Sequence, residues 1–335
     1  MAESVAPTLL SVWSEDGVRM GDVLAALEDV RRPEPMPATR TSVLTLVIVA
    51  SRRASAVRAQ AAVHELGGRH PARVVTLVLD PSSVEGAAGI DAEIRLLGGS
   101  ADGKDVWFED VELDVHGSVV GHLDSLIEPL TLGDLPVVVW FVDDLPSLDD
   151  PLLAAADVLL VDARELDSVD SLGSLVALCG QRSVVVVDLS WTRLRPWRQL
   201  LAGLFEGPAF RPFVSSVRRS SVAGRTGPRL LLDGWLADRL GLPEPARHVE
   251  AADHVHIRLW CTTSDGREAT FSVVRDGDVR RVVAEAVVAG GPSASAVLQL
   301  PESTPAWGLA DALSHLERDE VYERALRRAA GRDST

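Results

Sequence analysis

The sequence predicts an α/β protein: an N-terminal doubly wound, mostly parallel sheet with an inserted hairpin, then a smaller α+β domain with an antiparallel meander. Short, apolar, β-branched runs such as residues 44–50 and 72–80 alternate with helical segments, which is typical of buried parallel strands. Residues 91–117 alternate apolar and polar side chains, which predicts an antiparallel hairpin. Three alternating segments within residues 254–288 predict the meander by the same reasoning.

The N-terminal elements follow from local patterns. Residues 1–17 are expected to be loosely ordered, whereas residues 18–32 carry apolar side chains at helical spacing. The prolines of segment 33–37 then end that helix. A strand at 42–50, an alanine-rich helix at 52–70 that stops at Gly67-Gly68 and a strand at 72–80 form one strand–helix–strand unit. Such a unit implies parallel strands joined by a right-handed crossover.

The rest of the first domain continues the alternation of strands and helices. Its elements are, in order, the hairpin strands 91–99 and 104–117, a helix at 118–130, a strand at 135–142, an acidic loop at 143–151, a strand at 157–163, a helix near 168–179 and a strand at 183–189. This pattern predicts a Rossmann-like domain over residues 1–190.

The second domain is predicted over residues 191–335. Its elements are helices at 191–207 and 228–242 with a strand at 213–224 between them, the meander strands 254–263, 268–277 and 278–288, and a C-terminal helix at 307–330. Strands followed by helices without regular alternation are typical of an α+β domain.

Charge is unevenly distributed along the 335 residues, whose formal net charge is −16. Residues 101–170 hold 18 acidic and two basic residues, and residues 182–229 hold nine arginines and two acids. An acidic chain is a poor candidate for nonspecific nucleic-acid binding, which depends on phosphate contacts. Segregated charge suits recognition of a protein partner, or else two oppositely charged faces packed within the molecule.

The sequence lacks the signatures of membrane, secreted and disulfide-rich proteins. No apolar run reaches the ~18 residues that a membrane-spanning helix needs, and no secretory signal is visible. Two cysteines, Cys179 and Cys261, are too few for a disulfide framework or a cysteine-based zinc site, and both are expected to be buried and inert. We therefore expect a cytoplasmic protein without a membrane partner.

Motifs for catalysis and cofactor binding are also missing. The sequence contains no G-x-G-x-x-G turn, no phosphate-binding P-loop and no G-x-S-x-G elbow. Arg52 and Arg53 stand where a helix N-terminus follows a strand, so they either grip an anion or are solvated. His254 and His256 fall on one face of a predicted strand near Asp253, which is weak evidence for a metal site. We predict no catalytic residue, no cofactor and no metal.

Aspartates at the ends of predicted strands are the remaining single-residue candidates for a binding site. Asp80, Asp162 and Asp188 each follow a predicted strand, where α/β proteins often place a binding site. The same position is more often used by an aspartate that caps a turn.

The most distinctive segment is DLSWTRLRPWRQLLAGLF at residues 188–205. Tryptophan and arginine are favoured at the energetic centres of protein interfaces. Trp191 and Arg195 are four residues apart, close enough to stack on a helix. With the acidic loop, this segment gives the predicted partner-binding residues, which are Trp191, Arg193, Arg195, Trp197, Arg198, Asp143, Asp144, Asp149 and Asp150.

The sequence resembles the OpcA glucose-6-phosphate dehydrogenase assembly proteins of actinobacteria and cyanobacteria. The resemblance runs in order through LTLVIVA (44–50), HPARVVTLVLD (70–80), the hairpin 91–117, SVVGHLDSLIEPLTLGDLPVVVWF (118–141), DLSWTRLRPWRQLLAGLF (188–205) and LLLDGWLADRLGL (230–242). It implies a non-enzymatic protein that binds glucose-6-phosphate dehydrogenase, promotes its active oligomer and activates it allosterically. Such a protein would support the oxidative pentose phosphate pathway and NADPH supply.

The sequence leaves open two alternatives to this function, an enzyme and a scaffold for another partner, and it also bears on thiol control. Some cyanobacterial members of the family are controlled through cysteines, but the corresponding positions here are Ala72 and Ala92, which disfavours thiol control. The main alternative is an α/β enzyme that binds a phosphosugar or a nucleotide through Arg52, Arg53 and the strand-end aspartates. A scaffold for some other partner is a third reading.

Overall fold

The computed structural model describes residues 7–31, 39–40, 42–66, 70–80, 89–101, 104–166, 168–181, 183–275, 280–300 and 305–332. The predicted proline break at 33–37 and the helix end at Gly67-Gly68 lie outside these residues. The chain forms two compact units. The first contains Met1–Val161, Gln181–Val187 and Leu309–Glu317, and the second contains Asp162–Gly180, Asp188–Gly308 and Arg318–Thr335. The predicted domain boundary at residue 190 stays a prediction.

A nine-stranded, mostly parallel sheet forms the core of the first unit. Its strands are β1 (Thr8–Glu15), β2 (Thr39–Arg40), β3 (Leu44–Ala50), β4 (Ala72–Asp80), β5 (Gly89–Ala101), β6 (Lys104–His116), β7 (Val137–Phe141), β8 (Val158–Val161) and β9 (Val185–Asp188). Strands β3 and β7 are buried along their whole length, as expected for strands covered on both faces.

The order of the strands confirms the predicted doubly wound class. Across the sheet the order is β1-β5-β6-β4-β3-β7-β8-β9, and β2 pairs with β6. From β3 the chain adds β4 and then β6 on one side, and β7, β8 and β9 on the other. This is the strand order of the dinucleotide-binding fold, and its topological switch point lies between β3 and β7. The hairpin is confirmed, because β5 and β6 pair antiparallel along their length.

The N-terminal segment differs from its prediction. Residues 8–15 of the stretch expected to be loosely ordered form strand β1, which pairs antiparallel with β5. Pairing satisfies the backbone groups along the outer edge of the hairpin. Most side chains of β1 remain exposed, including Leu9 at 53% and Val12 at 53%. The strand therefore has no alternating burial pattern by which its sequence would reveal it.

Most helices lie at the predicted positions, with some differences. The helices are α1 (Met20–Val30), α2 (Arg53–Glu65), α3 (Leu123–Ile127), α4 (Leu152–Ala155), α5 (Val169–Gly180), α6 (Leu189–Arg193), α7 (Arg195–Leu204), α8 (Thr226–Leu240), α9 (Pro305–Leu313) and α10 (Glu320–Ala330). The predicted C-terminal helix 307–330 is two helices, at 305–313 and 320–330, and the predicted helix 118–130 is α-helical only at 123–127 and 3-10 helical on either side. A short helix at 152–155 was not predicted. The predicted helix 191–207 is divided in two at Leu194. Pro196 has no N–H to donate, so the hydrogen-bond ladder is interrupted and a new helix begins.

The second unit is built on a six-stranded sheet. Its strands are β10 (Val217–Gly224), β11 (Arg247–Ala251), β12 (His256–Thr262), β13 (Glu268–Arg275), β14 (Arg281–Val288) and β15 (Ser293–Gln299). The order is β11-β10-β12-β13-β14-β15, and β12 to β14 form the predicted antiparallel meander. Strands β11 and β15 were not predicted; β11 joins β10 in parallel and β15 extends the meander.

Helix α10 packs closely on helix α8 within the second unit. Gly234 of α8 makes this approach possible, because a Cβ atom there would overlap the carbonyl oxygen of Ala325. Tyr322 and Leu326 of α10 are almost fully buried. The N-terminus of α10 is capped by Asp319, whose carboxylate accepts hydrogen bonds from the amides of Val321 and Tyr322. This packing positions the tryptophan- and arginine-rich segment described next.

Candidate functional site

A side chain of the protein itself closes the switch point of the first sheet. The carboxylate of Asp143, directly after β7, accepts hydrogen bonds from the backbone N–H of Ser51 at 3.1 Å and of Arg52 at 3.2 Å. Its other oxygen pairs with the Arg52 guanidinium. In a nucleotide-binding protein of this fold, the N-terminal amides of this first helix bind the pyrophosphate. Here an internal carboxylate binds the two amides just before the helix, those of Ser51 and of the N-cap residue Arg52.

The environment of Asp143 favours the ionised carboxylate. Burial by itself would raise the pKa of Asp143, but the hydrogen bonds from Ser55, Arg52 and Ser51 outweigh burial, so the pKa lies below its ordinary value. The side chain is only 3% exposed. Arg52, one of the two arginines considered for anion binding, is thus paired, and Arg53 pairs with Glu112 and Asp114. Neither arginine forms the phosphate site that the enzyme alternative requires.

The two tryptophans of the predicted contact segment face inwards. Trp191 and Trp197 are each 5% exposed. The indole Nε1 of Trp191 donates to Asp319 at 2.7 Å, and its ring lies 5.7 Å from the ring of Tyr322. Arg198 lies over the Trp191 ring, 3.4 Å from its centroid, and the continuous helix that the predicted stack of Arg195 on this ring assumes is broken at Leu194.

Each of the three arginines in this segment has a partner within the chain. Arg193 pairs with Asp162 at 2.5 Å, and Arg198 donates to the backbone oxygen of Trp191 at 3.0 Å. Burial lowers the pKa of Arg198 to about 10. Arg195 is half-buried and also has a partner. Much of the arginine chemistry that distinguishes the sequence therefore stabilises the second unit.

A buried carboxyl group lies beneath Trp191. Asp188 accepts hydrogen bonds from the amides of Ala163 at 3.0 Å and Ser190 at 2.8 Å, and from the Tyr322 hydroxyl at 3.2 Å. Complete burial, together with the charge of Asp162, raises the pKa of Asp188 to about 6. The capping role expected for strand-end aspartates is confirmed for Asp188 and for Asp162, which caps the turn at residues 163–165.

The acidic loop divides into anchoring and exposed carboxylates. Asp143 anchors the turn before α2, and Asp150 accepts a hydrogen bond from the Leu152 amide at 2.9 Å at the start of α4. The Asp144 carboxylate accepts a hydrogen bond from the Ser51 hydroxyl at 3.3 Å, and both Asp144 and Asp149 are exposed to solvent. These two are the members of the predicted set that are free to contact a partner.

The remaining candidates do not form the metal site or the reactive thiol considered from the sequence, within the described part of the chain. His256 lies in β12, but His254 precedes the strand, so the two do not share a strand face as predicted. Within the described residues no group of His, Cys, Asp and Glu side chains could hold a metal ion. Cys179 and Cys261 are free and buried, and burial raises the pKa of each thiol to about 12. Among the described residues, no helix is long and apolar enough to cross a bilayer.

Two protein families match successive parts of the chain. Residues 45–177 match the N-terminal domain of a glucose-6-phosphate dehydrogenase subunit, also described as the OpcA assembly domain. Residues 184–326 match the C-terminal domain of the same kind of subunit. The two matches together span well over half of the sequence, in the order expected for one protein.

Curated cyanobacterial proteins named OxPP cycle protein OpcA are similar to this chain. The Nostoc punctiforme protein is 23% identical over 296 residues, which covers 81% of this chain and 64% of the relative. The Synechocystis protein is 24% identical over 184 residues, covering 52% of this chain and 38% of the relative. The chain thus aligns with less than two thirds of the length of either relative.

Solved structures of low similarity include two oxidoreductases. The WlbA dehydrogenase from Bordetella pertussis has a TM-score of 0.35 at 13% identity and covers 86% of this chain and 93% of its own. An oxidoreductase from Bacillus cereus has a TM-score of 0.40 at 13% identity, covering 85% and 95%. Likeness at this level carries no functional argument.

Proposed function

Since the chain belongs to the OpcA family of glucose-6-phosphate dehydrogenase subunits, we propose that it binds glucose-6-phosphate dehydrogenase, promotes its assembled form and activates it allosterically. The observation that carries this proposal is the match of both family domains, in order, over residues 45–177 and 184–326. In this role the protein acts in the cytoplasm without a reaction of its own. It raises flux into the oxidative pentose phosphate pathway and the supply of NADPH.

The geometry of the switch point supports a binding role over the enzyme alternative. A nucleotide-dependent enzyme of this fold uses the N-terminal amides of its first helix to hold phosphate. In this chain Asp143 accepts from the amides of Ser51 and Arg52, immediately before that helix, and its negative charge repels a phosphate there. The phosphosugar or nucleotide enzyme based on Arg52, Arg53 and the strand-end aspartates is therefore the weaker reading.

The proposed contact residues lie in two separate places, each taken by itself: the exposed acids Asp144 and Asp149 in the first unit, and segment 191–198 in the second. Exposed carboxylates at an interface rim speed association and select a partner of opposite charge. The buried Trp191 and Trp197 support segment 191–198 from below, because they hold the backbone of α6 and α7 in place.

Activation follows if the protein binds one conformation of the enzyme more tightly than another. A coupling free energy of about 1–3 kcal/mol changes substrate affinity by roughly 5–150-fold. By reciprocity, the substrate tightens the complex by the same factor. The effect therefore depends on selective affinity between the two conformations.

A coupled assay of NADPH production tests the proposal. Glucose-6-phosphate dehydrogenase from the same organism is measured with and without this protein across substrate concentrations, and the mixture is run on a sizing column. We expect co-elution and either a lower KM or a higher kcat. Unchanged kinetics together with separate elution would refute the proposal for this chain.

The proposed contact residues of the first unit have their own test, which keeps the fold intact. The double variant Asp144→Lys with Asp149→Lys reverses two exposed charges, and we expect it to slow association and weaken co-elution at least tenfold. The matched control reverses two exposed acids elsewhere in the same unit, Glu15→Lys with Glu28→Lys. Equal binding by both double variants would exclude the acidic loop from the interface.

A further inference from the structure

A pocket of about 450 Å³ lies within the second unit. This volume is within the range of small-molecule sites in proteins. Arginines approach the pocket from four elements: Arg164 from the turn after Asp162, Arg193 from α6, Arg225 from the start of α8 and Arg275 from the end of β13. The sequence places these four far apart, so only the fold brings them together.

Three of these arginines make no ion pair with any described carboxylate. Arg193 is neutralised by Asp162, but Arg164, Arg225 and Arg275 have no such partner among the residues that the structure describes. Arg164 and Arg275 are close enough for their charges to interact, and burial together with Arg164 lowers the pKa of Arg275. The Nε of Arg275 is buried without a hydrogen-bond acceptor. Arg164 and Arg225 are exposed to solvent and Arg275 is half-buried, so an anion bound among the three guanidinium groups would accept charge-assisted hydrogen bonds from them.

A helix N-terminus adds to the positive potential. Arg225 is the N-cap residue of the 15-residue helix α8, so this helix starts at the pocket wall; Pro228, the first-turn residue that lines the pocket, has no N–H to donate. The amides of a first helical turn carry partial positive charge and favour phosphate groups. The arginines and this helix end therefore select for the same ligand chemistry.

Other side chains that line the pocket are suited to contact the uncharged part of a ligand. Trp197 and Trp307 line the pocket, and the buried Nε1 of Trp197 has no acceptor in the described part of the chain. Asp253 supplies a carboxylate and His254 an imidazole on another side. Indole faces pack against sugar or base rings, and a carboxylate accepts hydrogen bonds from hydroxyl groups. A purely anionic ligand would not use these groups.

We propose that this pocket binds a phosphate monoester of a hydroxylated ring compound, with the phosphate held by Arg164, Arg225 and Arg275 and the hydroxyl groups held by Asp253. This chemistry is shared by sugar phosphates and by nucleoside monophosphates. The site goes beyond the proposed function, since it assigns the chain a small-molecule ligand of its own. It requires no enzyme partner for its detection.

Isothermal titration calorimetry on the full chain alone tests the site at physiological salt. The probes are glucose 6-phosphate, AMP, glucose and inorganic phosphate. We expect at least one phosphorylated ring compound to bind at least tenfold more tightly than glucose or inorganic phosphate. The tighter of glucose 6-phosphate and AMP identifies the source of the ligand. The proposal would be overturned if neither glucose 6-phosphate nor AMP binds at millimolar concentration. It would also be overturned if inorganic phosphate binds as tightly as both of them.

Variants of exposed arginines locate the binding. Arg164→Gln and Arg225→Gln change side chains at the surface, so both are expected to fold and each to weaken binding about tenfold, as for one lost charge-assisted hydrogen bond. The matched control is Arg211→Gln, an exposed arginine of the same unit that lies outside the pocket. Unchanged affinity in the two pocket variants would refute the site. Because enzyme is absent from this experiment, its failure is distinguishable from failure of the proposed activation.

Discussion

Replacing Asp143 with alanine tests whether an internal carboxylate has taken the place of a phosphate at the switch point. The variant loses the acceptor for the Ser51 and Arg52 amides, at 3.1 and 3.2 Å. Hydrogen bonds to a charged group contribute about 1.5–3 kcal/mol each. The ion pair itself adds little, because the Arg52 side chain is 67% exposed. Since water enters part of the vacated corner, we expect the free energy of unfolding to fall by about 2–4 kcal/mol.

Urea denaturation measures this loss, and two further readings test its cause. The vacated amides and Arg52 form an anion site, so inorganic phosphate should stabilise Asp143→Ala more than the parent protein. The pKa of Asp143 lies below its ordinary value, so its stabilising contribution is complete at neutral pH. That contribution is lost as the pH falls below about 4 and through the lowered pKa, so the two proteins should converge in stability in acid.

The neighbouring carboxylate provides the control for Asp143→Ala. Asp144 is exposed and accepts a hydrogen bond from the Ser51 hydroxyl at 3.3 Å, so Asp144→Ala should change stability by less than about 0.5 kcal/mol. Equal denaturation midpoints for the parent and Asp143→Ala would refute the reasoning. So would a phosphate effect of the same size in both proteins, because the anion would then bind elsewhere.

Three further predictions concern the second unit. The pKa of Asp188 is raised to about 6, so ionisation of this carboxyl opposes folding, and the stability of the parent protein should fall as the pH rises from about 4 to 6. Asp188→Asn should remove up to about 3 kcal/mol of this pH dependence, measured by denaturation at a series of pH values. Gly234→Ala should destabilise by at least about 2 kcal/mol in thermal melts because its Cβ overlaps a carbonyl of α10, whereas Gly173→Ala, with open space, should be neutral or stabilising. Cys179 and Cys261 should resist alkylation at neutral pH in the folded protein, followed by mass spectrometry.

Each of these has a contrary outcome. A parallel pH profile for Asp188→Asn and the parent would show that this carboxyl does not titrate in the range inferred. Equal melting temperatures for the two glycine variants would contradict the close packing of α8 and α10. Alkylation of either cysteine in the folded protein, at the rate found in urea, would show that its thiol is accessible.

The sequence predicted those elements whose side chains are buried in a regular pattern. Strands β3 and β7 are covered on both faces, so they appear as continuous β-branched runs, and the meander alternates because one face is covered. Strands β1 and β15 were missed because their side chains stay largely exposed, so that only backbone pairing defines them. Local patterns carry no record of such pairing.

The candidate site was predicted in its chemistry but not in its geometry. Tryptophan and arginine at residues 191–198 indicated a special segment, yet the partner of Trp191, Asp319, lies 128 residues later in the chain. The sequence also could not show which carboxylate of the acidic loop turns inwards. Asp143 does so because it follows β7 directly and so lies beside the carboxyl end of β3, a relation set by sheet order.

The attachment of helix α10 has a consequence for the order of events during synthesis. Trp191 and Asp188 find their partners, Asp319 and Tyr322, only after more than a hundred further residues have been added. At about 5–20 residues per second, that interval is on the order of ten seconds. Throughout it the indole of Trp191 has neither its acceptor nor its neighbouring ring. The second unit is thus completed late by the ribosome, and its tryptophan fluorescence should report the arrival of α10.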